Sequence, residues 1–336
     1  MERTRALVVS RGEGEGGERP TRRALAAGRA RHASRSIAWI GPACAVVGTL
    51  GFSAKAILIK LAYAASTVDA ITLLALRMLY SAPFFVAMAW WSGRAGAPLA
   101  RRDWLALAGL GFLGYYLASL LDFLGLRYVS ASLERLVLYL YPTIVVLLSA
   151  AFLGKPVTRR AIGALALSYA GIALVFRHDV AIAGDGAATL LGGTLVFGSA
   201  LCYAVYLVAA GGVIRRIGSM RFIALAMLVS TLFVLVHFAL ARPLAALDVP
   251  PAIHALSLVM AIGSTVVPTW LVAEAVRRIG ANTTSLVGSL GPVFTIALGA
   301  WLLAEPVHAI QLGGAALVLA GVALVTMKAR ATDASP

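Results

Sequence analysis

Two fifty-residue stretches of this chain are copies of each other, and this duplication limits the possible folds more than any other feature. Residues 126–175 align without a gap with residues 276–325, and about 19 of the 50 aligned residues are identical. The matches include Pro142 with Pro292, 150 positions apart. A compositional bias towards Ala, Leu and Gly could produce some of these matches, but it would not align prolines at the same constant offset. The chain is therefore built from two related halves.

The duplicated halves lie in a chain with few charges. Of its 336 residues, 60% are hydrophobic and 13% are charged, whereas soluble domains average about 25% charged residues. From residue 36 onwards there are ten apolar segments of roughly 18–25 residues, each long enough to cross a ~30 Å hydrocarbon core as a helix. They are residues 38–60, 68–91, 104–125, 130–153, 160–177, 188–212, 221–241, 253–276, 281–303 and 310–327. The sequence predicts an all-α integral membrane protein with ten transmembrane helices.

The positive charges predict how these helices are oriented. Arg and Lys cluster after the even-numbered segments, with about thirteen there against about four in the intervening loops. This excess places both termini in the cytoplasm, in a plasma membrane such as the inner membrane of a bacterium. Five helices per repeat is an odd number, so the second repeat is inverted relative to the first. Inverted repeats are typical of secondary transporters, which hold their substrate near the midplane.

The domain organisation follows from the same pattern. Residues 1–36 contain nine Arg and four Glu but little apolar surface, which predicts a disordered basic cytoplasmic tail, although a misassigned start codon would give the same pattern. The first repeat is predicted at 37–178, the second at 187–328, and a short cytoplasmic tail at 329–336. The formal net charge of +15 does not indicate nucleic-acid binding, because the basic residues lie in the tail and in short loops.

A set of short motifs occurs once in each half. The first half has Tyr128-Val129-Ser130-Ala131-Ser132, Pro142, Gly154-Lys155-Pro156, Gly163 and Gly171, and the second has Ile279-Gly280-Ala281, Pro292, Ala304-Glu305-Pro306, Gly313 and Gly321. This twofold set resembles the EamA branch of the drug/metabolite transporter superfamily, over residues 38 to 327. The resemblance implies a ten-helix carrier with a central cavity that moves small metabolites without ATP. The family usually has Glu at both helix-end positions, so Lys155 departs from its pattern.

Charged side chains at membrane depth are functional candidates, because each costs several kcal/mol to insert. Arg77 is predicted to be the deepest, and Lys55 lies nearer the outer surface. In one interpretation both bind an anionic group such as a carboxylate or phosphate, while Asp122 or Glu134 takes a proton or pairs with the bases until substrate arrives. In the structural alternative, Arg77 pairs permanently with Glu134, and Lys55 with Asp122. Arg135 neighbours Glu134 at ~100° on the helix, so at most one of the two points squarely into a cavity.

The paired prolines are a second indication of a site. Pro142 and Pro292 occupy equivalent places inside the fourth and ninth segments, and paired helix interruptions favour a transporter site, although a kink that only helps packing is the alternative. Aromatic and hydroxyl side chains near these breaks or at mid-segment are candidates for lining the cavity, with buried packing as the alternative. They are Tyr139, Tyr116, Trp270 and Ser289.

Taken together, these observations predict a secondary active transporter that moves an amino acid, an organic anion or a similar metabolite by alternating access, coupled to protons or another gradient. Efflux of drugs or cations and a passive channel are the alternatives. A membrane enzyme is disfavoured, because the sequence has no HExxH, GxSxG or Walker motif and its five His are scattered. The expected partners are a small substrate and membrane lipid, with no nucleic acid, cofactor or metal, and both a monomer and a homodimer remain open.

Overall fold

A computed structural model describes residues 22–94, 98–154 and 157–326, and these residues form helices without any strand. The α-helices are α1 (Arg22–Ala65), α2 (Ala70–Gly93), α3 (Arg101–Gly111), α4 (Ala118–Gly125), α5 (Ala131–Leu138), α6 (Tyr141–Leu153), α7 (Arg159–Ala183), α8 (Gly186–Ile217), α9 (Ser219–Ala241), α10 (Pro251–Ala261), α11 (Val267–Gly288), α12 (Gly291–Leu302) and α13 (Ala309–Thr326). Two π-helical segments, Phe112–Leu117 and Ile262–Val266, join α3 to α4 and α10 to α11. A 3₁₀ turn, Leu244–Leu247, precedes α10.

The helices form ten apolar spans, which confirms the predicted fold class. Among the described residues nine spans are long and apolar enough to cross a membrane, and the apolar part of α13, Ala309–Leu324, is a shorter tenth. The first and eighth spans, Trp39–Ala65 and Pro251–Gly280, are longer than predicted. We call the end of the bundle that holds the α1–α2 connection the predicted outer end, and the opposite end the predicted cytoplasmic end.

The N-terminal segment differs from the prediction where it is described. The first helix begins at Arg22, inside the 1–36 segment that was expected to lack structure. The stretch from Arg22 is rich in Ala and Arg, which are strong helix formers, and it continues directly into an apolar span. Residues 1–21 and the predicted tail at 329–336 lie outside the described residues, as do Lys155 and Pro156.

The helices of the two halves pack in symmetry-related pairs. The third span of each half packs along the first span of the other, so that α11 lies along α1 and α4 lies along α8. The second spans, α2 and α9, pack on each other, and so do the fifth spans, α7 and α13. The last pair approaches closely at Gly171, where an added Cβ would come within 2.5 Å of the Gly314 carbonyl oxygen. This exchange of equivalent partners is what two inverted copies around a pseudo-twofold axis produce.

Backbone irregularities also occur at equivalent positions in the two halves. The π-helical segments begin at Phe112 and Ile262, which are 150 positions apart. The helix breaks at 139–140 and 289–290 have the same offset. Both pairs of irregularities interrupt regular helices in the interior of the spans, a placement that is frequent at functional sites.

Candidate substrate and coupling site

Two broken helices meet inside the bundle. In the fourth span α5 ends at Leu138 and α6 begins at Tyr141. The helix α11 is kinked at Gly280, where the eighth span ends, and its remaining part, in the ninth span, ends at Gly288 before α12 begins at Gly291. Each new helix has its proline, Pro142 or Pro292, at the second position, where the missing N–H removes no helical hydrogen bond. The Tyr139 hydroxyl, in the first break, donates a hydrogen bond to the Gly288 carbonyl, in the second. The two breaks therefore touch where the repeats meet.

We call the contact between the two breaks, at residues 139–140 and 289–290, the crossing. The guanidinium of Arg135 lies beside it. Its Nη2 donates to Ser53 Oγ (3.3 Å), and its Cζ is 5.4 Å from the centroid of the Tyr139 ring. The Ser53 side chain is fully buried, and its Oγ is 3.1 Å from the carbonyl oxygen of Gly291 at the start of α12. Within the described residues, Nε of Arg135 is buried without a hydrogen-bond partner, and Arg135 forms no salt bridge. A cation with unused donors beside a helix N-terminus is an arrangement that attracts an anion.

A second group of charges lies between α1, α4 and α5. Lys55 Nζ is 2.5 Å from Asp122 Oδ2 and 3.6 Å from Glu134 Oε1. Asp122 is 1% exposed and Glu134 is completely buried. Ser130 caps α5 by accepting a hydrogen bond from the Leu133 amide (3.0 Å), which fixes Glu134 in the first turn of this helix. We call Lys55, Asp122 and Glu134 the ion cluster.

The ion cluster is incompletely neutralised. Oδ1 of Asp122 and both carboxylate oxygens of Glu134 are buried and have no hydrogen-bond partner in the described parts of the chain. Two carboxylates thus share one ammonium in a region that excludes water, where an unpaired charge is costly. A proton on one carboxylate would leave a simple ion pair, and an anionic ligand could compete for Lys55. The geometry suits both events.

The structure places Arg77 differently from the prediction. Its Nη2 donates to Ser119 Oγ (3.2 Å), its Cζ is 5.0 Å from the centroid of the Phe123 ring, and it is 5% exposed. Among the described residues it forms no salt bridge, so the suggested pair with Glu134 is absent, whereas the suggested pair of Lys55 with Asp122 is present. Because α1 continues to Ala65, Lys55 lies ten residues from the outer end of its helix and Arg77 only seven from the start of α2. Counted from these helix ends, Lys55 lies further in than Arg77, the reverse of the order that the sequence predicts.

The remaining predicted lining residues are dispersed. The Tyr116 hydroxyl lies 3.0 Å from His237 Nδ1, so this tyrosine faces α9. Trp270 is 52% exposed. Ser289 lies in the break before α12 and donates to the Leu286 carbonyl (2.6 Å). The structure thus brings Tyr139 and Ser289 to the crossing, whereas the hydroxyl of Tyr116 contacts His237 of α9.

A row of tyrosines lies next to the crossing, and of its members the sequence predicts only Tyr139 as a lining residue. Ring centroids are 6.3 Å apart for Tyr139 and Tyr141, 5.2 Å for Tyr141 and Tyr203, and 5.6 Å for Tyr203 and Tyr206. The Tyr206 hydroxyl is 2.9 Å from that of Tyr115. The row runs from the crossing along α8 towards the predicted cytoplasmic end. Tyr203 and Tyr206, three positions apart and so on one helix face, were the available signal in the sequence.

Comparisons with known proteins agree with this architecture. The EamA-like transporter family matches residues 39–177 and again residues 190–327. The chain belongs to the EamA-like transporter family. It is 31% identical to "Uncharacterized transporter YcbK" of Bacillus subtilis (strain 168) over 292 residues, which cover 82% of this chain and 90% of that protein. It is 24% identical to "Uncharacterized transporter YyaM" of the same organism over 224 residues, 66% of this chain and 73% of the other.

A solved structure supports the fold alone. A chain described as "Crystal structure of protein" superposes with a TM-score of 0.56 at 20% identity, covering 88% of this chain and 99% of that one. The family match confirms the resemblance found in the sequence and identifies this EamA protein as a multi-pass membrane transporter.

Proposed function

We propose that this EamA protein is a proton-coupled secondary carrier of a small anionic or zwitterionic metabolite, working by alternating access in the plasma membrane with both termini in the cytoplasm. The observation that carries the proposal is the buried ion cluster next to the crossing of the broken helices. Glu134 belongs to the cluster and Arg135, the next residue of α5, belongs to the crossing. One rigid helix thus joins a proton site to an anion site.

The substrate's carboxylate or phosphate binds at Arg135, where the unpartnered Nε and the start of α12 both favour negative charge. The Tyr139 ring packs against the same guanidinium and limits its orientation. Arg77 is held by Ser119 and Phe123, and it supports α4 rather than binding substrate. In this proposal Arg135 replaces Arg77 as the principal substrate-binding cation, with Lys55 as the second.

The proton binds at Glu134. With both carboxylates charged, Asp122 holds Lys55 at 2.5 Å and Glu134 is left without a hydrogen-bond donor among the described residues. Protonating Glu134 leaves a balanced Lys55–Asp122 pair and removes the negative charge next to Arg135. That change strengthens the attraction of Arg135 for an anion, which links proton binding to substrate binding. Movement of the two repeats about the crossing then carries both to the other side.

Efflux of an organic cation is the second candidate function. The partnerless oxygens of Asp122 and Glu134 could bind a cation in place of Lys55, and the row of tyrosines next to the crossing offers aromatic faces. In that case the cation displaces Lys55, and Arg135 only stabilises the crossing.

Binding and transport by purified protein distinguish these candidates. The first measurement is a thermal-shift screen of amino acids, organic acids, nucleosides and cationic drugs on wild type, Arg135→Gln and Arg77→Gln. A ligand at 100 times its dissociation constant stabilises by about 2.7 kcal/mol. We expect an acid to stabilise wild type and Arg77→Gln but not Arg135→Gln. Cationic compounds that stabilise all three proteins equally would favour efflux.

Uptake of that acid into proteoliposomes tests the coupling. We expect an acidic exterior to accelerate uptake by wild type, and Glu134→Gln to abolish this acceleration while counterflow exchange continues. Asp248→Asn is the matched control, because Asp248 is an exposed acid in the loop before α10. Acceleration that persists in Glu134→Gln would exclude Glu134 as the coupling site.

A further inference from the structure

A depression at the predicted outer end is lined by residues that the proposed transport mechanism does not use. Its volume is about 610 Å³, and it is open on one side. It lies between the end of α1, the α1–α2 connection and the turn after α4, and Lys60, Tyr63 and Arg127 supply its charged and aromatic lining. Pockets of about 300–1,000 Å³ are the usual size for small ligands.

The cations of this depression have unused donors. Lys60 Nζ donates one hydrogen bond, to the Val129 carbonyl (3.0 Å), and an ammonium has three N–H groups. Arg127 is exposed, and its Cζ lies 5.5 Å from the centroid of the Tyr63 ring. In the described parts of the chain the Arg127 side chain forms no hydrogen bond or salt bridge. Both cations can therefore bind a ligand without losing a partner.

The acidic residues near the depression lie outside its wall. The lining contains no Asp or Glu. Asp69 follows the lining residue Val68, but it binds Arg242 (3.1 Å) and caps α2 through the Ile71 and Thr72 amides. Asp179 and Glu305 lie within electrostatic reach of Lys60 but outside the wall. The wall itself therefore has two cations and no acidic side chain, and the guanidinium of Arg127 has no acidic partner among the described residues.

The equivalent position at the predicted cytoplasmic end is neutralised. Arg277 corresponds to Arg127 at the offset of 150, and Glu274 accepts two hydrogen bonds from it (2.7 and 2.5 Å). The position of Glu274 corresponds to Leu124 in the first repeat, and that of Lys60 to Ala210 in the second. Of this duplicated pair of arginines, only Arg127 thus lacks an acidic partner among the described residues.

We propose that the outer depression is a binding site for a carboxylate or phosphate group, held by Arg127 and Lys60, with an apolar or planar remainder resting on the Tyr63 ring. The Tyr63 hydroxyl donates to the Phe123 carbonyl (2.8 Å), which fixes the ring as a wall. The anion belongs either to a free metabolite or to the phosphate of an anionic phospholipid. For a free metabolite, the depression is the site of first contact on the way to Lys55, five residues deeper on α1, and this role rests on the proposed function.

Binding of 4-fluorobenzoate, followed by ¹⁹F line broadening on protein in phosphatidylcholine nanodiscs, tests the site. We expect Arg127→Gln to weaken binding about tenfold, the effect of losing a charge-assisted hydrogen bond, and Lys60→Gln to weaken it less. Arg94→Gln is the matched control, because Arg94 is an exposed arginine that also lies over an aromatic ring, that of Trp90, at the other end of α2. It should leave the affinity unchanged.

Further arms separate the possible outcomes. In nanodiscs with about one third phosphatidylglycerol the negative surface repels the probe from wild type and Arg127→Gln alike. A further loss of affinity in wild type alone means that lipid phosphate occupies the site, and an equal loss in both proteins means that the ligand is a free anion. Equal affinity of wild type and Arg127→Gln, or loss of binding only in Arg135→Gln, would overturn the proposal. The comparison of wild type with Arg127→Gln does not involve Glu134, so failure of proton coupling leaves this test intact, and failure of this test leaves coupling through Glu134 intact.

Discussion

The two repeats break their helices at equivalent positions, whereas the buried charges of the candidate site lie in the first repeat alone. The residues at the offset of 150 from Lys55, Arg77, Asp122, Glu134 and Arg135 are Val205, Met227, Val272, Thr284 and Ser285. The second repeat therefore contributes a carbonyl and a helix N-terminus to the crossing, and the first contributes the ionisable groups. In our proposal the symmetric breaks are where the backbone moves, and the asymmetric charges are where the ligand and the proton are recognised.

The two ends of the bundle show the same asymmetry. At the predicted cytoplasmic end Arg277 and Arg278 both bind Glu274, and Arg216 binds Asp103 (2.7 Å). At the predicted outer end Asp69 and Arg242 form a pair, but Arg127 has no acidic partner in the described residues. Of the two arginines related by the duplication, only the outer one therefore offers a free anion a guanidinium without an acidic partner among the described residues. In our proposal this difference favours capture of an anion from outside.

The largest expected effect comes from exchanging the ion cluster for the residues of the second repeat. Lys55→Val leaves two buried carboxylates without their ammonium, and breaking a buried ion pair in this way costs about 3–5 kcal/mol. The triple variant Lys55→Val, Asp122→Val, Glu134→Thr removes all three charges, so we expect it to unfold close to wild type. Denaturant unfolding in detergent measures both, and uptake assays should show no proton-driven transport by the triple variant. If Lys55→Val lowers the free energy of unfolding by under about 1 kcal/mol, Lys55 is not the ammonium that neutralises these two carboxylates.

The second-largest effect on stability is expected at the glycines of α7, which packs on α13. At Gly171 a methyl group would collide with the Gly314 carbonyl, so Gly171→Ala should destabilise the α7–α13 contact by about 1–3 kcal/mol. Gly163, on the same helix and also duplicated, has no atom within 4 Å of its added Cβ. Gly163→Ala is the matched control and should be neutral or stabilising by up to about 1 kcal/mol. Thermal unfolding of the two variants compares them directly, and equal effects would show that this packing is not specific.

The ten spans and the inverted duplication could be predicted from the sequence, because span length and loop charge are local properties. The crossing could be predicted only in part. Paired prolines indicated where the helices break, but nothing local to Tyr139 indicates that its hydroxyl reaches Gly288, 149 positions away. The π-helical segments contain no proline and had no recognised signal.

The charged residues show most clearly what the sequence could not give. The sequence predicts Arg77 as the deepest charge because the predicted helix ends lie up to five residues from the observed ones. The depth of a residue also does not show towards which neighbouring helix its side chain points. Glu134 and Arg135 are adjacent in sequence, but Glu134 lies beside Lys55 and Arg135 donates to Ser53. Only the packing of α1 against α5 and α12 decides that separation.

A smaller effect is expected where the two breaks touch. Tyr139→Phe keeps the ring below Arg135 but removes the hydroxyl that binds the Gly288 carbonyl, which should cost about 1 kcal/mol. Because that link joins the repeats at the crossing, we also expect a changed kcat for uptake with little change in KM. Ser289→Ala is the matched control, since its hydroxyl lies in the other break but bonds to Leu286 of the same repeat instead of joining the two repeats. A changed KM with an unchanged kcat would place the hydroxyl on the substrate instead.

The smallest effect concerns the neutralised pair at the predicted outer end. Burial of Asp69 alone would raise its pKa, but hydrogen bonds from Thr72 and from Arg242 lower the pKa below its usual value. The folded protein therefore binds a proton at Asp69 less readily than the unfolded chain does. Its stabilising contribution is complete above the unfolded pKa of about 3.9 and is lost as the pH falls through the lower, folded pKa.

Asp69→Asn tests this pair while keeping the N-cap of α2, because Asn is an equally good cap. We expect the substitution to lower the free energy of unfolding by under about 1 kcal/mol near pH 7, as is usual for a partly exposed ion pair. The loss should become smaller as the pH falls towards the folded pKa of Asp69, because wild type then loses the same ion pair. Unfolding of both proteins between pH 7 and pH 3 measures the difference. The variant also frees Arg242 near the outer depression, so 4-fluorobenzoate should bind it slightly more tightly than wild type. Weaker binding by Asp69→Asn would mean that Asp69 organises the depression instead of being occupied elsewhere.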